Sequence, residues 1–436
     1  MRLISTRHAR HSATLSQAMI EGIAPDGGLY VPEHLPATSP ADFEDTESLE
    51  SIAHRVLQPF AAGDELHEDL SAICKEAFAF QAPVVPLDRA PGPAAVLELF
   101  HGPTCAFKDF GARFLAASLE RVFRRSGRKL TLLVATSGDT GGAVAAAFHR
   151  RPWVDVVLLY PKGLVSARQA QQLACWGDNV RTFSVLGTFD DCQRIVKESL
   201  LDPVLARDRA LSSANSINAG RLLPQMAYYA QASLRIFRDE GRKPHFIVPS
   251  GNLGNAVACV WAREMGLPIG EIVLATNENR VVVDHLAGGE WQPRASIATL
   301  ASAMDVGNPS NMERLRALFP DVSRLRSHVR AYAVTDDEIR ETIRTDAGTL
   351  GYVWCPHSAT AAHVYRRVAA ERAGDRWVIV ATAHPAKFNE TVEPLVGKEL
   401  AVPTTLDRLL RLPRREEDLP PSTEALRARL QPRGQS

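Results

Sequence analysis

Short apolar runs alternate with longer amphipathic patterns along most of the chain. The runs are continuous rather than alternating, and they span residues 94–100, 131–137, 154–161, 180–186, 245–251, 271–277 and 377–385. Between them the spacing of apolar residues is helical over 111–127, 140–151, 190–201, 220–241 and 253–266. Apolar strands that alternate with helices indicate a parallel sheet covered on both faces. We therefore predict an α/β fold.

The two ends of the chain follow other patterns. Residues 1–83 are predicted to be mostly helical, because apolar residues recur at helical spacing over 47–61 and 64–80. Residues 413–436 are polar and rich in proline, which predicts either a peripheral extension or a mobile tail. The strand–helix pattern is therefore confined to the region between these ends.

Composition removes several classes of function. The chain has 436 residues, enough for two or three domains, and its 50 basic and 50 acidic residues give a formal net charge of +0. A neutral chain has no bulk attraction to nucleic acid or acidic membranes. No apolar stretch approaches the roughly 20 residues of a membrane-spanning helix, and the basic start lacks the apolar core of a secretory signal.

The cysteines and histidines argue against metal and disulfide frameworks. Six cysteines are scattered without a Cys-x-x-Cys pair, and the 13 histidines form no His-Glu-x-x-His or similar pairing. We predict no metal site. Together with the neutral charge, this predicts a soluble, cytoplasmic enzyme that acts on a small molecule and has no nucleic-acid or membrane partner.

Ligands in such folds bind beyond the carboxyl ends of the strands, so chemistry is expected in the loops that follow them. One such loop turns sharply on two glycines and opens a helix, whose free N–H groups and positive dipole end suit a phosphate. Alternatively, the loop is only a tight turn with Asn255 as the helix cap. Its residues are Ser250, Gly251, Asn252, Leu253, Gly254 and Asn255.

A second glycine-rich loop follows the run at 131–137. Its hydroxyls and backbone N–H groups suit a carboxylate or a second phosphate. Alternatively, Ser137 or Asp139 merely caps the next helix. The candidate residues are Thr136, Ser137, Gly138, Asp139 and Thr140.

Lys108 is the best-placed lysine in a chain that has eight lysines against 42 arginines. It lies between two phenylalanines, after one apolar run and before a helix. An apolar setting disfavours the ammonium form and leaves a nucleophilic amine. Alternatively, it is a solvated lysine in a first turn where Asp109 supplies the helix-start charge. Lys162 and Lys387 are the rival lysines.

Two further groups complete the candidate site. Asn215, Ser216 and Arg221 precede a long helix, where the planar guanidinium and neutral donors suit an oxyanion; alternatively, they cap that helix. Thr382 ends the last apolar run, and its hydroxyl suits either a heterocyclic nitrogen or a backbone group.

Taken in chain order, these segments resemble the threonine synthases, which are fold-type II pyridoxal-phosphate enzymes of the tryptophan-synthase-β superfamily. The resemblance is closest to the longer bacterial and fungal branch and covers nearly the whole chain. Asn255 departs from it, since close relatives often have Asp there. The matching segments are STRHARHS with APDGGLYVP, LFHGPTCAFKDFGARF, TSGDTGG, SANSINAGRLLPQ, VPSGNLGN, ATN, AMDVGNPSN and TAHPAKF.

The resemblance implies two doubly wound α/β domains and a mostly helical N-terminal segment, residues 1–83. The large domain, which binds pyridoxal phosphate, would comprise 84–110 and 213–412. Residues 111–212 would form a small mobile domain, and 413–436 a C-terminal extension. The protein would be a monomer or a homodimer.

The resemblance also implies roles for the site residues. Lys108 would hold the cofactor covalently and act as the catalytic base. Residues 250–255 would hold the cofactor phosphate, Asp139 would lie near its 3-hydroxyl, and Thr382 would meet its ring nitrogen. The substrate-binding residues would be Thr136, Ser137, Gly138 and Thr140 for the α-carboxylate, and Asn215, Ser216 and Arg221 for the substrate phosphate.

The implied activity is that of a carbon–oxygen lyase acting on phosphates. Phosphate would leave O-phospho-L-homoserine by γ-elimination, and water would add at the β-carbon to give L-threonine. A threonine or serine dehydratase of the same fold has no use for the phosphate-binding cluster at Arg221. A kinase or dehydrogenase would need a Walker or GxGxxG loop, which the sequence lacks. A binding protein without turnover would not need Lys108.

Overall fold

The computed structural model describes residues 1–208 and 210–430, which form strands in three sheets and the helices around them. The strands are β1 (Leu3–Ser5), β2 (Ser12–Ala13), β3 (Tyr30–Pro32), β4 (Val84–Pro86), β5 (Ala94–Glu98), β6 (Leu130–Ala135), β7 (Val154–Pro161), β8 (Val180–Val185), β9 (Ala210–Ser212), β10 (His245–Pro249), β11 (Ile272–Thr276), β12 (Val329–Ala333), β13 (Trp377–Ala381) and β14 (Glu416–Leu419).

The α-helices are α1 (Leu15–Glu21), α2 (Leu49–Ala61), α3 (Leu70–Ala77), α4 (Lys108–Ser126), α5 (Asp139–Phe148), α6 (Ala167–Ala174), α7 (Phe189–Leu200), α8 (Pro203–Asp208), α9 (Ala219–Leu222), α10 (Met226–Glu240), α11 (Gly254–Glu264), α12 (Val281–Leu286), α13 (Met312–Leu318), α14 (Val322–His328), α15 (Asp336–Thr349), α16 (Pro356–Glu371), α17 (Asn389–Val396), α18 (Thr404–Leu410) and α19 (Thr423–Leu430). Short 3-10 turns cover Pro40–Phe43, Leu223–Gln225, Ser302–Met304 and Pro385–Phe388.

The large sheet has the strand order β12-β11-β10-β13-β5-β4 and is parallel except for β4, which pairs with β5 in the opposite direction. Both of its faces are apolar. On β10, Phe246 and Val248 face the core that includes α10 and α11, while Ile247 faces the core that includes α15 and α16. This two-sided burial explains why the strands read as continuous apolar runs.

The small sheet has the order β14-β8-β7-β6-β9, and all of its pairs are parallel. On β7, Val156 and Leu158 face the core shared with α4 and α5, whereas Val157 and Leu159 face α7 and α19. All seven predicted apolar runs contain strands of the two larger sheets (β5, β6, β7, β8, β10, β11 and β13), so the predicted α/β fold is confirmed.

The N-terminal segment contains the two helices predicted over 47–61 and 64–80, α2 and α3, but also the helix α1 and an antiparallel sheet in the order β2-β1-β3. The hydrophobic pattern did not predict this sheet, because strands of two or three residues are too short to show an alternation.

The C-terminal segment packs on the small sheet instead of extending away from it. Strand β14 is the edge strand beside β8, and α19 contacts α7 through the buried Leu426. Of the two alternatives expected for this segment, residues 413–430 therefore match the peripheral extension. Strand β14 escaped detection because it is polar: Glu416 and Glu417 bond to Tyr160 and Arg181. Residues 431–436 lie outside the described residues.

The connections place the predicted loops at the carboxyl ends of the parallel strands. Helix α4 follows the loop after β5, α5 follows β6, and α11 follows β10. Within residues 1–208 and 210–430, no helix combines the length and apolarity needed to cross a membrane.

Candidate active site

Hydrogen bonds join the predicted loops to one another. The Phe107 N–H donates to the Thr382 carbonyl at 2.8 Å, which links the end of β13 to the loop before α4. The Asn252 amide donates to the Ser216 hydroxyl at 2.7 Å. The Asn215 amide in turn donates to the carbonyl at the end of β6, at 3.1 Å. These bonds join the loops into two groups, and a contact of 2.7 Å between Lys387 Nζ and Asp139 Oδ1 connects the loop after β13 with the loop after β6.

Lys108 is the first residue of α4 and has a free amine. The side chain is half-buried, with Nζ 5.2 Å from the centroid of the Phe107 ring. Its ammonium makes no hydrogen bond or ion pair with a residue of the described chain. Burial lowers the pKa of Lys108; Asp139 opposes this, while the charges of Lys387 and Arg221 add to it. A nucleophilic or proton-accepting lysine needs such a shift.

Asp109 lies in the first turn of α4, as the alternative for this loop expected. It is buried, and its carboxylate accepts hydrogen bonds from the Thr104 N–H at 2.8 Å and the Thr104 hydroxyl at 2.7 Å. Asp109 therefore shapes the loop that carries Lys108.

The two rival lysines are both paired. Lys162 lies at the surface, where its Nζ is 2.6 Å from a carboxylate on β14. Lys387 is fully buried, with Nζ 2.7 Å from Oδ1 of Asp139. It also donates to the Thr104 carbonyl at 2.8 Å. Of these three lysines, Lys108 is the one with an unpaired amine.

The 250–255 loop leaves backbone N–H groups accessible at the start of α11. Leu253 has a left-handed backbone with φ of +62°, and no side chain caps the start of α11. A Cβ on Gly251 would lie 2.6 Å from the Met304 Cα, whereas a Cβ on Gly254 would meet nothing closer than 3.6 Å. The protein therefore leaves room at Gly254 beside free N–H groups, an arrangement that suits an anion.

The side chains of this loop mostly fix its shape. The Asn255 carbonyl oxygen accepts from the hydroxyls of Tyr228 and Tyr229 at 2.6 and 2.8 Å, so Asn255 does not cap α11. Its amide nitrogen is buried without a partner among the described residues. The Ser250 hydroxyl donates to a carbonyl of β10 at 3.0 Å, and Asn252 bridges to the neighbouring loops.

In the loop after β6, the Thr136 hydroxyl accepts hydrogen bonds from the N–H groups of Gly138 and Gly141 at 3.0 and 2.8 Å. Gly138 has φ of +133°, and a Cβ there would lie 2.5 Å from the Gln169 amide nitrogen. Glycine is therefore required at this position, and Thr136 holds the turn together.

Neither Ser137 nor Asp139 caps α5, because its N-cap residue is Gly138 and the Gly141 N–H in its first turn donates to Thr136. Ser137 and Thr140 are half-buried, and their hydroxyls bond to no residue of the described chain. These two hydroxyls are the ones available to a ligand in this loop.

Arg221 is a buried cation without a counter-ion among the described residues. Its side chain donates to the Ala214 carbonyl, but Nε is buried with no partner in the described chain. Burial lowers its pKa to about 10, and Asp109 only partly opposes this shift. The cap of α9 is Asn218, which accepts from the Gly220 N–H at 2.9 Å. Capping therefore does not account for Arg221.

Arg314 is a second buried arginine, which was not predicted from the sequence, and each of its guanidinium nitrogens donates a hydrogen bond. It donates to the carbonyls of Tyr30, Ser216 and Ile217 and to the Asn311 side chain. Burial lowers its pKa to about 9. Arg314 thus holds the chain around Ser216 in place.

His357, near the start of α16, was also missed. Its Nε2 accepts from the Ala303 N–H at 3.0 Å, so a neutral ring carries its proton on Nδ1. That nitrogen is buried without a partner among the described residues. Burial lowers the pKa of His357 to about 4, the Asp139 charge opposes this, and the charges of Lys108 and Lys387 contribute to it. A single histidine outside any motif gives no sequence signal.

Thr382 is buried at the end of β13, beside α16. Its N–H donates to the Ser358 hydroxyl at 3.0 Å, and its own hydroxyl lies 3.5 Å from the same oxygen. The Thr382 carbonyl also accepts from the Phe107 N–H, so Thr382 lies next to the residue that precedes Lys108. Its hydroxyl is therefore placed to meet a ring nitrogen of a ligand bound at Lys108.

Family models match the chain from residue 2 to residue 429. Residues 78–383 match the model described as pyridoxal-phosphate dependent enzyme, residues 2–78 match threonine synthase N terminus, and residues 358–429 match threonine synthase, C-terminal. The chain belongs to the threonine synthase family. Its enzyme activity and its cofactor, pyridoxal phosphate, follow from this membership, and both predictions are confirmed.

Individual relatives agree with this family over the full length. The threonine synthase of Haemophilus influenzae is 38% identical over 434 residues, which covers 99% of each chain. The crystal structure of Escherichia coli threonine synthase superimposes with a TM-score of 0.87 at 37% identity and 99% coverage of both chains. The pyridoxal-phosphate-bound threonine synthase from Brucella melitensis gives 0.90 at 34% identity and 98% coverage of both chains.

The residues of this chain fit the cofactor. The uncapped start of α11 and the room at Gly254 match a phosphate, and Lys108 has the free amine that a covalent link to an aldehyde requires. Thr382 offers a hydroxyl beside that lysine.

Proposed function

We propose that this enzyme takes O-phospho-L-homoserine and water and produces L-threonine and inorganic phosphate. The observation that carries the proposal is Arg221, a buried guanidinium whose Nε has no hydrogen-bond partner and whose charge has no carboxylate partner in residues 1–208 and 210–430. A buried cation without a counter-ion is costly. A phosphorylated substrate supplies the missing negative charge, and arginine matches phosphate geometry with two parallel hydrogen bonds.

Two phosphate sites are needed, and the chain offers two. The backbone of 250–255 is assigned to the cofactor phosphate, while Asn215, Ser216 and Arg221 are assigned to the substrate phosphate. The Asn252–Ser216 hydrogen bond of 2.7 Å ties the two sites together. The substrate α-carboxylate is assigned to the 136–140 loop, where Ser137 and Thr140 have free hydroxyls.

Lys108 is assigned the proton transfers. When bound, pyridoxal phosphate supplies a conjugated ring that stabilises negative charge on the substrate carbons. The Lys108 amine removes the Cα proton and later returns it, which its lowered pKa favours. A Cβ proton must also leave for the Cγ–O bond to break, and a proton is delivered to Cγ to form the methyl group. Arg221 holds the phosphate on Cγ and stabilises the charge that develops as the C–O bond breaks. One water adds at Cβ for each phosphate released.

Water has to be excluded until that step, which favours closure of a small domain over the site. We assign this movement to residues 111–212, together with β14 and α19, which pack on the same sheet. A cytoplasmic location, a monomeric or homodimeric state and the absence of nucleic-acid and membrane partners complete the proposal.

Incubation with O-phospho-L-homoserine tests the proposal directly. Phosphate and threonine should appear together in equal amounts. Serine and threonine, which carry no phosphate, should be turned over poorly. Good turnover of these two amino acids, with little activity on the phosphorylated substrate, would instead support a dehydratase.

A further inference from the structure

Lys387 is a buried cation whose partners all belong to the candidate site. Its side chain has no exposed surface, and the side chain of Asp139 is 4% exposed. Lys387 Nζ lies 2.7 Å from Oδ1 of Asp139 and donates to the Thr104 carbonyl at 2.8 Å. The Gln169 amide donates to the same carboxylate oxygen at 3.1 Å. Both donors use Oδ1, so Oδ2 receives no hydrogen bond from the described chain.

This ion pair connects the two larger sheets. Asp139 begins α5, directly after the loop that follows β6 of the small sheet. Lys387 lies in the turn Pro385–Phe388, which follows β13 of the large sheet. Since β13 also bonds to the loop before Lys108, the pair fixes the Asp139 carboxylate relative to the free amine of Lys108.

Lys387 also sets the charge of Asp139. Burial alone would raise the pKa of Asp139, but Lys387, followed by Lys108 and His357, more than offsets this, so its pKa lies below the ordinary value. Gln169 is neutral and contributes no charge. Two buried thiols, Cys105 and Cys355, also face this carboxylate, and burial raises the pKa of both.

We propose that Lys387 is a positioning residue: it holds Asp139 as an ionised carboxylate beside Lys108 and leaves the second carboxylate oxygen to the cofactor. The inference rests on the proposed role of Lys108 as the cofactor-bearing lysine. Lys387, which the sequence offered as an alternative cofactor-bearing lysine, would instead position Asp139 for the same reaction.

The test compares Lys387→Met with the double variant Lys387→Met/Asp139→Asn, and uses Gln169→Leu as the matched control. Lys387→Met removes the positive charge, so burial should dominate and Asp139 should titrate near neutrality, as buried carboxylates without a partner do. The absorbance of the bound cofactor should then gain one further midpoint between about pH 5 and pH 9. The double variant has no carboxylate there, and Gln169→Leu keeps the charge pair, so both should lack this midpoint.

Thermal unfolding against pH gives a readout that does not depend on the cofactor spectrum. In the parent, the pKa of Asp139 is lowered by folding, so its stabilising contribution is present above its unfolded pKa and is lost as the pH falls. In Lys387→Met the folded pKa is raised instead, so stability should fall as the pH rises from about 5 to 8. The double variant should lose this slope.

These two readouts separate the possible failures. If the protein never shows cofactor absorbance, the proposed function fails, and the unfolding slope still tests the pair. If Lys387→Met unfolds at every pH, the double variant should be folded because it has no unpaired buried charge. A cofactor-bound Lys387→Met with no new midpoint and a pH-independent loss of stability would overturn the inference and leave Lys387 a packing residue.

Discussion

Two loops at the carboxyl ends of the large sheet each carry a lysine, and the protein treats the two lysines differently. Lys387, after β13, has no exposed surface, forms an ion pair with Asp139 and donates a hydrogen bond to the Thr104 carbonyl. Lys108, after β5, lies nearby with its amine unpaired. A lysine that the protein has already neutralised cannot also serve a ligand. Proximity to the site therefore does not identify the reactive lysine, whereas an unused donor does.

The same contrast recurs at two other positions. The Arg314 guanidinium donates hydrogen bonds to backbone carbonyls and to the Asn311 side chain, while Nε of Arg221 has no partner in the described chain. Gly251 is packed against backbone, while Gly254 has room beside it. In each comparison one member builds the site and the other is left for the ligand.

Exchanging the lysines one at a time should give the largest difference. Lys108→Ala should abolish the covalent cofactor link and lower turnover by at least roughly 10²–10⁴-fold, the usual worth of a positioned proton-transfer group. Lys387→Met should keep the covalent link, because the Lys108 amine is untouched. Absorbance of the linked cofactor and steady-state rates measure both effects. A Lys108→Ala protein that still held its cofactor covalently would reverse the comparison.

The two arginines should separate substrate binding from folding. Arg221→Leu should keep the cofactor but lower kcat/KM for O-phospho-L-homoserine by about 10- to 150-fold, because a charge-assisted contact is worth roughly 1.5–3 kcal/mol. Arg221→Lys should recover only part of this, since an ammonium lacks the planar fork. Arg314→Leu should instead lower the thermal midpoint, because it leaves buried carbonyls unpaired.

Any activity of Arg221→Leu toward unphosphorylated amino acids serves as the control. That activity should fall much less than the activity toward the phosphorylated substrate. Equal losses for both substrate types would assign Arg221 to folding and remove it from the substrate site.

The two glycines should give the smallest effect. Gly254→Val should weaken cofactor affinity by about tenfold, or about 1.4 kcal/mol, because its side chain enters the space left for the phosphate. Gly251→Ala should lower thermal stability instead, since its Cβ meets the Met304 backbone at 2.6 Å. Cofactor titration and thermal unfolding distinguish the two. If Gly254→Val bound the cofactor as tightly as the parent, the loop would be only a structural turn.

Local pattern was sufficient for the seven strands that continuous apolar runs mark and for the position of the loops after them, but it did not predict β4, β9 or β12. Continuous apolar runs mark strands buried on both faces, and the glycine-rich turns follow such strands directly. Strand β14 was not predictable in this way, because Glu416 and Glu417 make its edge polar and its pairing depends on side-chain contacts with β7 and β8.

The hydrogen-bond and ion-pair partners of the site residues could not be predicted from the sequence. Asp139 and Lys387 lie in different thirds of the chain, and only packing between the two sheets brings them to 2.7 Å. The same holds for His357, whose free Nδ1 depends on a bond from Ala303 to the other ring nitrogen. Spacing along the chain predicts which loops could bind a ligand. It does not predict which of their side chains are already hydrogen-bonded or ion-paired within the protein.

Borohydride reduction of the purified protein, followed by peptide mapping, tests the central comparison most directly. Reduction makes a lysine–cofactor link permanent, so the modified peptide identifies the lysine that carries pyridoxal phosphate. We expect the label on the peptide that contains Lys108, with Lys162 and Lys387 unmodified. A label on Lys387 would contradict it, because the paired lysine would then be the reactive one.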